Sequence, residues 1–302
     1  MQGERRWQRR KHGKQRTGRY DFLFVLPWVI GFLCFTLIPY IFSFYISFTK
    51  YNMMGTPKWL GFENYIEIFT SDHYFRKALV VTFTYVLIAV PLKMLFSLLV
   101  AVLLNNKLAG AKFYRTIYYI PSLLGSSVAI SVVWKAMFRK DGVINALMAV
   151  FGIRGPEWIG NPATALWVLA LLAMWQFGSP MLIFLAGLNQ VPVSLLEAAE
   201  VDGATDVKKF FHITLPMISP MIFFNLVMQM IGAFQTFTSA MMVTNGGPVD
   251  STLLYVLYIY KEGFSKYNFG YAAALSWVLM AIILFFTLLV FWSQNKWVYY
   301  EN

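Results

Sequence analysis

Six apolar stretches, each long enough to cross a lipid bilayer as a helix, divide this sequence. A bilayer core takes about 20 apolar residues of helix, and the first stretch contains no charged residue. The second is interrupted only by Lys93. The predicted spans lie near residues 22–48, 78–104, 116–134, 163–188, 216–243 and 270–292. None shows the in–out alternation of a membrane β-strand, so the pattern predicts an all-α membrane protein with six transmembrane helices.

The amino-acid composition agrees with a membrane protein. Hydrophobic residues make up 58% of the chain and charged residues only 13%, against about 45–50% and about 25% in soluble domains. A water-soluble surface needs more charge than this chain has. The single Cys34 excludes an intrachain disulfide framework.

Lysine and arginine predict the orientation in the membrane. Eight of the 25 basic residues lie in the tail, residues 1–20, and cytoplasmic loops carry the excess of such residues. With the tail inside, fourteen lie inside and ten outside. We therefore predict a basic cytoplasmic tail that contacts anionic lipid, a transmembrane domain over 21–302, and two cytoplasmic termini. A nucleic-acid role needs a folded basic surface, which a tail does not provide.

Two connecting segments are predicted to fold. The outer segment 50–76 is aromatic and mixed, which favours a small cap. The inner segment 190–216, here called the elbow, is predicted to be a helix–turn–helix. Ser194 and Glu197 have the spacing of a capping box, and Gly203 suits a left-handed helix stop. A second short helix then runs from about Asp206 to His212.

The chain offers little for catalysis. It contains no GxxxxGK[ST] phosphate loop, and its three histidines fall in segments too far apart to form a zinc site. None of the 14 acidic residues lies inside a predicted span, whereas ion-driven pumps usually place a carboxylate there. We therefore expect a transport subunit that is not an enzyme and that draws its energy from another subunit.

The elbow also carries a specific motif. Glu197-Ala198-Ala199 is followed after three residues by Gly203, and after nine more by Ile213-Thr214-Leu215-Pro216. This pattern resembles the EAA loop of binding-protein-dependent ABC importer permeases. Other segments resemble the carbohydrate class of that family, in particular the first of its two permeases (the maltose and glycerol-phosphate transporter type). Two of these segments lie in the first half of the chain: the start from Leu26-Pro27 to Ser47-Phe48-Thr49, and Asn105-Asn106-Lys107 with Gly110 and Pro121. Two lie in the second half: Gly246-Gly247-Pro248 with Gly270-Tyr271-Ala272, and the ending Trp297-Val298-Tyr299.

The resemblance implies a type I ABC importer permease in a bacterial cell membrane. Two homologous permeases would form the pathway for a sugar or oligosaccharide, delivered by an extracytoplasmic solute-binding protein. A dimer of ATPases would bind ATP and Mg²⁺, so this chain would need no cofactor of its own. The ATPases would grip the elbow at Glu197, Ala198, Ala199, Gly203, Ile213, Leu215 and Pro216. The alternative for the elbow is an amphipathic connector lying on lipid, but such helices favour basic residues and this one is acidic.

Two other functions compete with an importer permease. One is a passive channel or self-contained secondary carrier, which can bind Na⁺ through backbone carbonyls. The other is a membrane-embedded enzyme. Co-purification discriminates between them, because a permease should come with an ATPase and a second six-span chain, whereas a carrier transports alone.

Span five carries a polar stripe that is a candidate solute pathway. Residues at spacings of four, three, four and three share one helix face, and their amides and hydroxyls suit sugar hydroxyls. Interhelical packing by small and polar residues is the alternative. The stripe consists of Asn225, Gln229, Gly232, Thr236 and Ser239, flanked by Phe234 and Gln235.

Spans four and two add three candidates. Trp175 and Gln176 lie beside Gly178 and Pro180, which predicts either solute contact or a kink in the helix. Lys93 is unusual, because a lysine in a span usually faces a cavity or a partner. Its partner is predicted to be backbone carbonyls, water, an acid on the second permease or an acidic sugar, with snorkelling to the interface as the alternative.

Overall fold

The computed structural model describes residues 21–105, 111–125 and 127–299. The basic tail 1–20 and residues 106–110 of the asparagine motif lie outside this part of the chain. Within it, nearly all regular structure is helical, so the all-α prediction is confirmed.

The helices and strands follow one another with short connections. In chain order the helices are α1 (Asp21–Phe32), α2 (Ile38–Ser47), α3 (Glu63–Thr70), α4 (His73–Asn105), α5 (Ala111–Leu124), α6 (Val128–Met137), α7 (Val143–Val150), α8 (Pro162–Trp175), α9 (Gly178–Leu188), α10 (Val193–Val201), α11 (Asp206–Lys209), α12 (Leu215–Met217), α13 (Ser219–Phe234), α14 (Tyr255–Tyr260) and α15 (Phe269–Ser293). π-Helical turns occupy Leu33–Leu37, Phe210–Thr214, Ala240–Thr244 and Lys261–Ser265, and a 3-10 turn occupies Gln294–Lys296. The strands are β1 (Thr49–Lys50) and β2 (Lys58–Trp59), which pair antiparallel.

Three of the predicted spans are helical without a bend. The first is α1 joined to α2 through the π-helical turn at Leu33–Leu37, and the second and sixth are α4 and α15. The 33 residues of α4 make a helix about 50 Å long, which exceeds the roughly 30 Å of a bilayer core. This helix therefore extends beyond the membrane at one end or both.

The other three predicted spans are bent pairs of helices. The bends are 99° between α5 and α6, 47° between α8 and α9, and 65° where α13 begins after Met217. The prediction of continuous helices over 116–134 and 216–243 was therefore wrong. Pro121 precedes the first of these bends and Pro220 follows the last, and proline removes a helical hydrogen bond. Counting each pair as one span gives up to six spans.

The predicted cap over residues 50–76 is confirmed. Strands β1 and β2 pair Thr49 with Trp59, and Tyr65 of α3 packs on the Phe48 ring with centroids 5.3 Å apart. The buried Asn64 side-chain amide donates to the carbonyls of Ser47 at 2.8 Å and Thr49 at 3.0 Å. This bifurcated contact fixes α3 against the end of the first span.

Gly270, near the start of α15, allows this helix to approach the cap closely. A Cβ atom added there would lie 2.0 Å from the carbonyl oxygen of Thr49, and the Gly270 N–H donates to the Tyr51 carbonyl at 3.2 Å. Gly270→Ala is expected to lower the thermal unfolding temperature of the purified chain, because overpacking costs about 1–3 kcal/mol. The matched control is Gly31→Ala, where the new Cβ has nothing within 4 Å. Equal unfolding temperatures for the two variants would contradict the role of this contact.

One carboxylate joins three helices on the side of the cap. Asp72 accepts the N–H of Phe75 at 2.8 Å and the hydroxyls of Tyr258 at 2.6 Å and Tyr271 at 2.5 Å. Burial, followed by the hydrogen bond to Asp72, raises the pKa of the Tyr258 phenol. A tyrosine phenol is already protonated at neutral pH, and the raised pKa keeps Tyr258 a donor to Asp72. In addition, the Thr82 hydroxyl accepts the N–H of Tyr255 at 2.8 Å, so α14 is held against α4 at a second point.

Candidate functional site

The elbow folds as two short helices separated by a left-handed turn. Helix α10 ends at Val201, and Gly203 follows with a φ of +77°. The predicted stop at Gly203 is therefore confirmed, since L-residues rarely adopt this conformation. Thr205 then caps α11 by accepting the N–H of Lys208 at 3.4 Å, a cap that the sequence analysis missed although Thr is a common residue at this position.

The predicted capping box of Ser194 and Glu197 was wrong. Pro192 occupies the N-cap of α10, and no side chain caps this end. The backbone of Pro192 is extended, with a ψ of 125°, so the helix begins at the next residue, Val193, and Ser194 and Glu197 lie inside it. Glu197 is exposed. Its carboxylate makes no ion pair or hydrogen bond within the described part of the chain.

One side of the elbow packs on the protein and the other is exposed. Leu196 and Leu215 contact the buried cluster formed by the end of α4, α9 and Ile218. On the exposed side, apolar side chains stand beside the acidic ones; they are Val193, Leu195, Val201, Val207 and Phe211. Exposed apolar patches of this kind mark interaction surfaces. The elbow is therefore a surface anchored to α4 and α9 that is suited to bind a partner.

Ala198, Ala199, Ile213 and Pro216 complete the predicted elbow motif. Ala198 is exposed beside Glu197, and Ala199 is half-buried. Ile213 lies in the π-helical turn Phe210–Thr214, half-buried, and Pro216 is exposed in α12. The motif residues thus extend over both helices of the elbow.

A polar cavity of about 310 Å³ lies between α4, α8, α13 and the turn that follows α13. This volume falls within the range of small-molecule sites, about 300–1,000 Å³. Seven of the ten pathway candidates line it: Lys93, Gln176, Gln229, Gly232, Gln235, Thr236 and Ser239. The structure also adds residues that the sequence analysis missed, Tyr85, Phe237 and Thr238. Tyr85 precedes Lys93 by eight residues, about two helical turns, so the two residues share one face of α4, and this spacing is the signal that points to Tyr85.

The stripe in span five is not one continuous helix face. Helix α13 ends at Phe234 and Gln235 is its C-cap, so Thr236 and Ser239 reach the cavity from beyond the helix. The β-branched Thr236 and Thr238 disfavour continuation of the helix, and the Thr236 hydroxyl bonds back to the Gly232 carbonyl at 3.3 Å. The prediction of a single helical stripe was wrong, although four of its five residues, Gln229, Gly232, Thr236 and Ser239, still line the same cavity.

Three pathway candidates lie outside the cavity. Asn225 is fully buried and donates to the Pro180 carbonyl at 3.3 Å. Phe234 packs in the core against Phe83, with ring centroids 5.4 Å apart. Trp175 packs on the Trp134 ring at 5.9 Å. Each of these side chains makes the interhelical contacts that a packing role requires.

The predicted break in span four is present and is held by neighbouring helices. The Ser122 hydroxyl donates to the Gln176 carbonyl at 3.0 Å, and the Gln176 side chain donates to the Gly125 carbonyl at 2.9 Å. Ser97 of α4 donates to the Phe177 carbonyl at 3.1 Å. Broken helices persist in membranes when side chains satisfy the freed backbone groups. Gln176 therefore supports this break as well as lining the cavity.

Most of the hydrogen-bonding capacity of the cavity is unused. Neither the Gln229 nor the Gln235 amide is hydrogen-bonded within the described residues. The same residues place one cation, Lys93, and no acid in the lining. The arrangement can bind a small polar solute through amides and hydroxyls.

Comparison with known proteins agrees with a transport subunit. The family of binding-protein-dependent transport system inner membrane components matches residues 70–297. The chain is similar to the probable ABC transporter permease protein YesP of Bacillus subtilis, with 50% identity over 96% of each chain. It is also similar to the arabinooligosaccharides transport system permease protein AraP of the same species, with 33% identity over 89% of this chain and 86% of AraP.

A solved structure has the same fold. It is a bacterial alginate ABC transporter in complex with an alginate pentasaccharide-bound periplasmic protein, and one of its chains superposes with a TM-score of 0.78. The match covers 91% of this chain and 94% of that chain at 22% identity. The family match over residues 70–297 and the 50% identity to YesP establish that the chain belongs to the binding-protein-dependent transport system inner membrane components.

Proposed function

We propose that this chain is the permease subunit of an ATP-driven importer for a sugar or oligosaccharide. A second homologous permease completes the pathway, and an extracytoplasmic solute-binding protein delivers the solute. The observation that carries the proposal is the polar cavity between α4, α8 and α13. Its unpaired glutamine amides and hydroxyls are the groups that hydrogen-bond sugar hydroxyls. The names of AraP and of the alginate transporter support a carbohydrate as the solute.

The elbow is the proposed contact with a dimer of ATPases. ATP and Mg²⁺ bind to these ATPases and not to this chain. Its exposed face carries Glu197 between apolar side chains, while Leu196 and Leu215 anchor it to α4 and α9. A movement of the ATPases is thereby transmitted to α4, which flanks the cavity, and to α9, which follows the cavity-lining α8 after the bend. In this arrangement the elbow and both termini face the cytoplasm.

Reconstitution tests the proposal against a carrier or a channel. The chain is co-expressed with the second permease and the ATPase, purified and placed in liposomes with the binding protein. We expect solute uptake that requires both ATP and the binding protein. Uptake by this chain alone, without ATPase or second permease, would show that it is a carrier or channel.

The Gln229 and Gln235 side chains are expected to contribute to solute affinity. A neutral hydrogen bond contributes about 0.5–1.5 kcal/mol, so Gln229→Ala and Gln235→Ala should each raise the solute concentration for half-maximal uptake roughly two- to tenfold. Basal ATPase activity and assembly should not change. Asn225→Ala is the comparison, because the buried Asn225 contacts Pro180 and should affect the stability of the complex rather than solute affinity. Unchanged uptake in both glutamine variants would remove them from the pathway.

A further inference from the structure

Lys93 lies near the middle of the long apolar run in α4 and lines the polar cavity. It is two residues from the centre of the apolar run 78–104, or about 3 Å along the helix axis. The ends of that run, Ala78 and Leu104, are about 22 Å and about 16 Å away along α4. Both distances exceed the reach of a lysine side chain, so the ammonium group does not reach either end of the apolar run.

The ammonium group of Lys93 has no counter-charge in the described part of the chain. It forms no ion pair or hydrogen bond there, and the cavity lining contains no aspartate or glutamate. A charge removed from water is costly unless it is paired, and an ionisable residue in a membrane span most often marks a functional site. The position therefore calls for an anion from outside this chain.

The groups around Lys93 are suited to an anionic sugar. Gln229 and Gln235 have amide donors that are free within the described residues, and Ser239 adds a hydroxyl. A carboxylate has about four lone-pair positions. One ammonium and neighbouring amide N–H groups can fill these positions, while other hydroxyls bind the sugar ring.

We propose that Lys93 is the anion-binding residue of the pathway and that the transported carbohydrate carries a carboxylate. This inference rests on the proposed function and specifies its substrate class. It also explains why a lysine stands at this depth without an acidic partner among the described residues. Its charge is compensated when the solute occupies the cavity.

Direct binding to the assembled importer tests the proposal. The complex of both permeases and the ATPase in lipid nanodiscs is titrated with two matched pairs, galacturonate with galactose and glucuronate with glucose. The members of each pair differ at C6, where the acid has a carboxylate and the neutral sugar a hydroxymethyl group. At least one acid should bind about ten- to a hundredfold more tightly than its neutral partner, the range for a hydrogen bond to a charged group. Lys93→Gln should abolish this preference and Lys93→Arg should retain it.

Lys77→Gln is the matched control, because Lys77 is an exposed lysine on the same helix and lies outside the apolar run. It should keep the preference for the acid. Failure of every acid to bind more tightly than its neutral partner would overturn the proposal, as would a preference that survives in Lys93→Gln. Loss of the second permease from Lys93→Gln in a pull-down would also overturn it, because Lys93 would then pair with an acid on that subunit. If the importer takes up a neutral carbohydrate with ATP while these tests fail, the proposed function stands and only the anionic class is rejected.

Discussion

Gly232→Leu is expected to abolish solute uptake while the complex still assembles. A Cβ atom at Gly232 has nothing within 4 Å, and the residue lines the cavity, so the leucine side chain would project into the proposed pathway. Leucine also favours helix over glycine by up to about 1 kcal/mol, so α13 should not be weakened. We expect uptake in proteoliposomes to fall at least about a hundredfold. This fall corresponds to a rise of about 2.8 kcal/mol in the free-energy barrier of the transport step.

Gly232→Ala is the graded control for steric block. A methyl group leaves most of the cavity open, so uptake should stay within a fewfold of the unmodified chain. Normal uptake by Gly232→Leu would show that solute passes elsewhere. If Gly232→Leu instead loses the second permease in a pull-down while Gln229→Ala and Gln235→Ala transport normally, this face of α13 is a packing seam.

Glu197→Lys is expected to uncouple ATP hydrolysis from transport without lowering the amount of this chain in the membrane. Glu197 is exposed in the middle of α10 and caps nothing, and surface substitutions usually change stability by less than about 0.5 kcal/mol. Charge reversal should therefore act on the proposed ATPase contact alone. Solute-stimulated hydrolysis and uptake are measured on the reconstituted complex, and membrane level by immunoblot.

Glu197→Gln separates loss of charge from reversal of charge. This variant keeps the size of the side chain and its capacity for hydrogen bonds. ATP hydrolysis should therefore be coupled to transport better in Glu197→Gln than in Glu197→Lys. The proposed role of Glu197 fails if solute-stimulated hydrolysis and uptake are unchanged in the lysine variant.

Features encoded by local composition were predictable from the sequence. The apolar runs located the spans because their length matches the bilayer, and the cap and the left-handed Gly203 followed from aromatic content and turn chemistry. The bend at Ile218 and the end of α13 at Phe234 were not predictable. Whether a uniformly apolar segment stays helical or breaks depends on whether neighbouring helices donate hydrogen bonds to the backbone carbonyls at the break. Ser97 and Ser122 donate such bonds in span four.

The candidate site divides in the same way. The residue types facing the cavity were evident from the helical spacing in span five and from the isolated Lys93. Which of them meet depends on how α4, α8 and α13 pack, and the packing places Asn225 and Phe234 in the interior. The start of α10 was predicted from the capping-box spacing of Ser194. The helix begins instead directly after Pro192, so that spacing did not locate its start.

The three hydrogen bonds accepted by Asp72 have a mechanical consequence. Because one carboxylate holds the start of α4, Tyr258 of α14 and Tyr271 of α15, those three helix ends should translate and rotate as one rigid body. We expect any opening of the cavity to take place instead by rotation about bends in other helices, such as those at Ile218 and at Gln176. Amide hydrogen exchange should accordingly be slow at the beginning of α4 and faster around those two hinges during turnover.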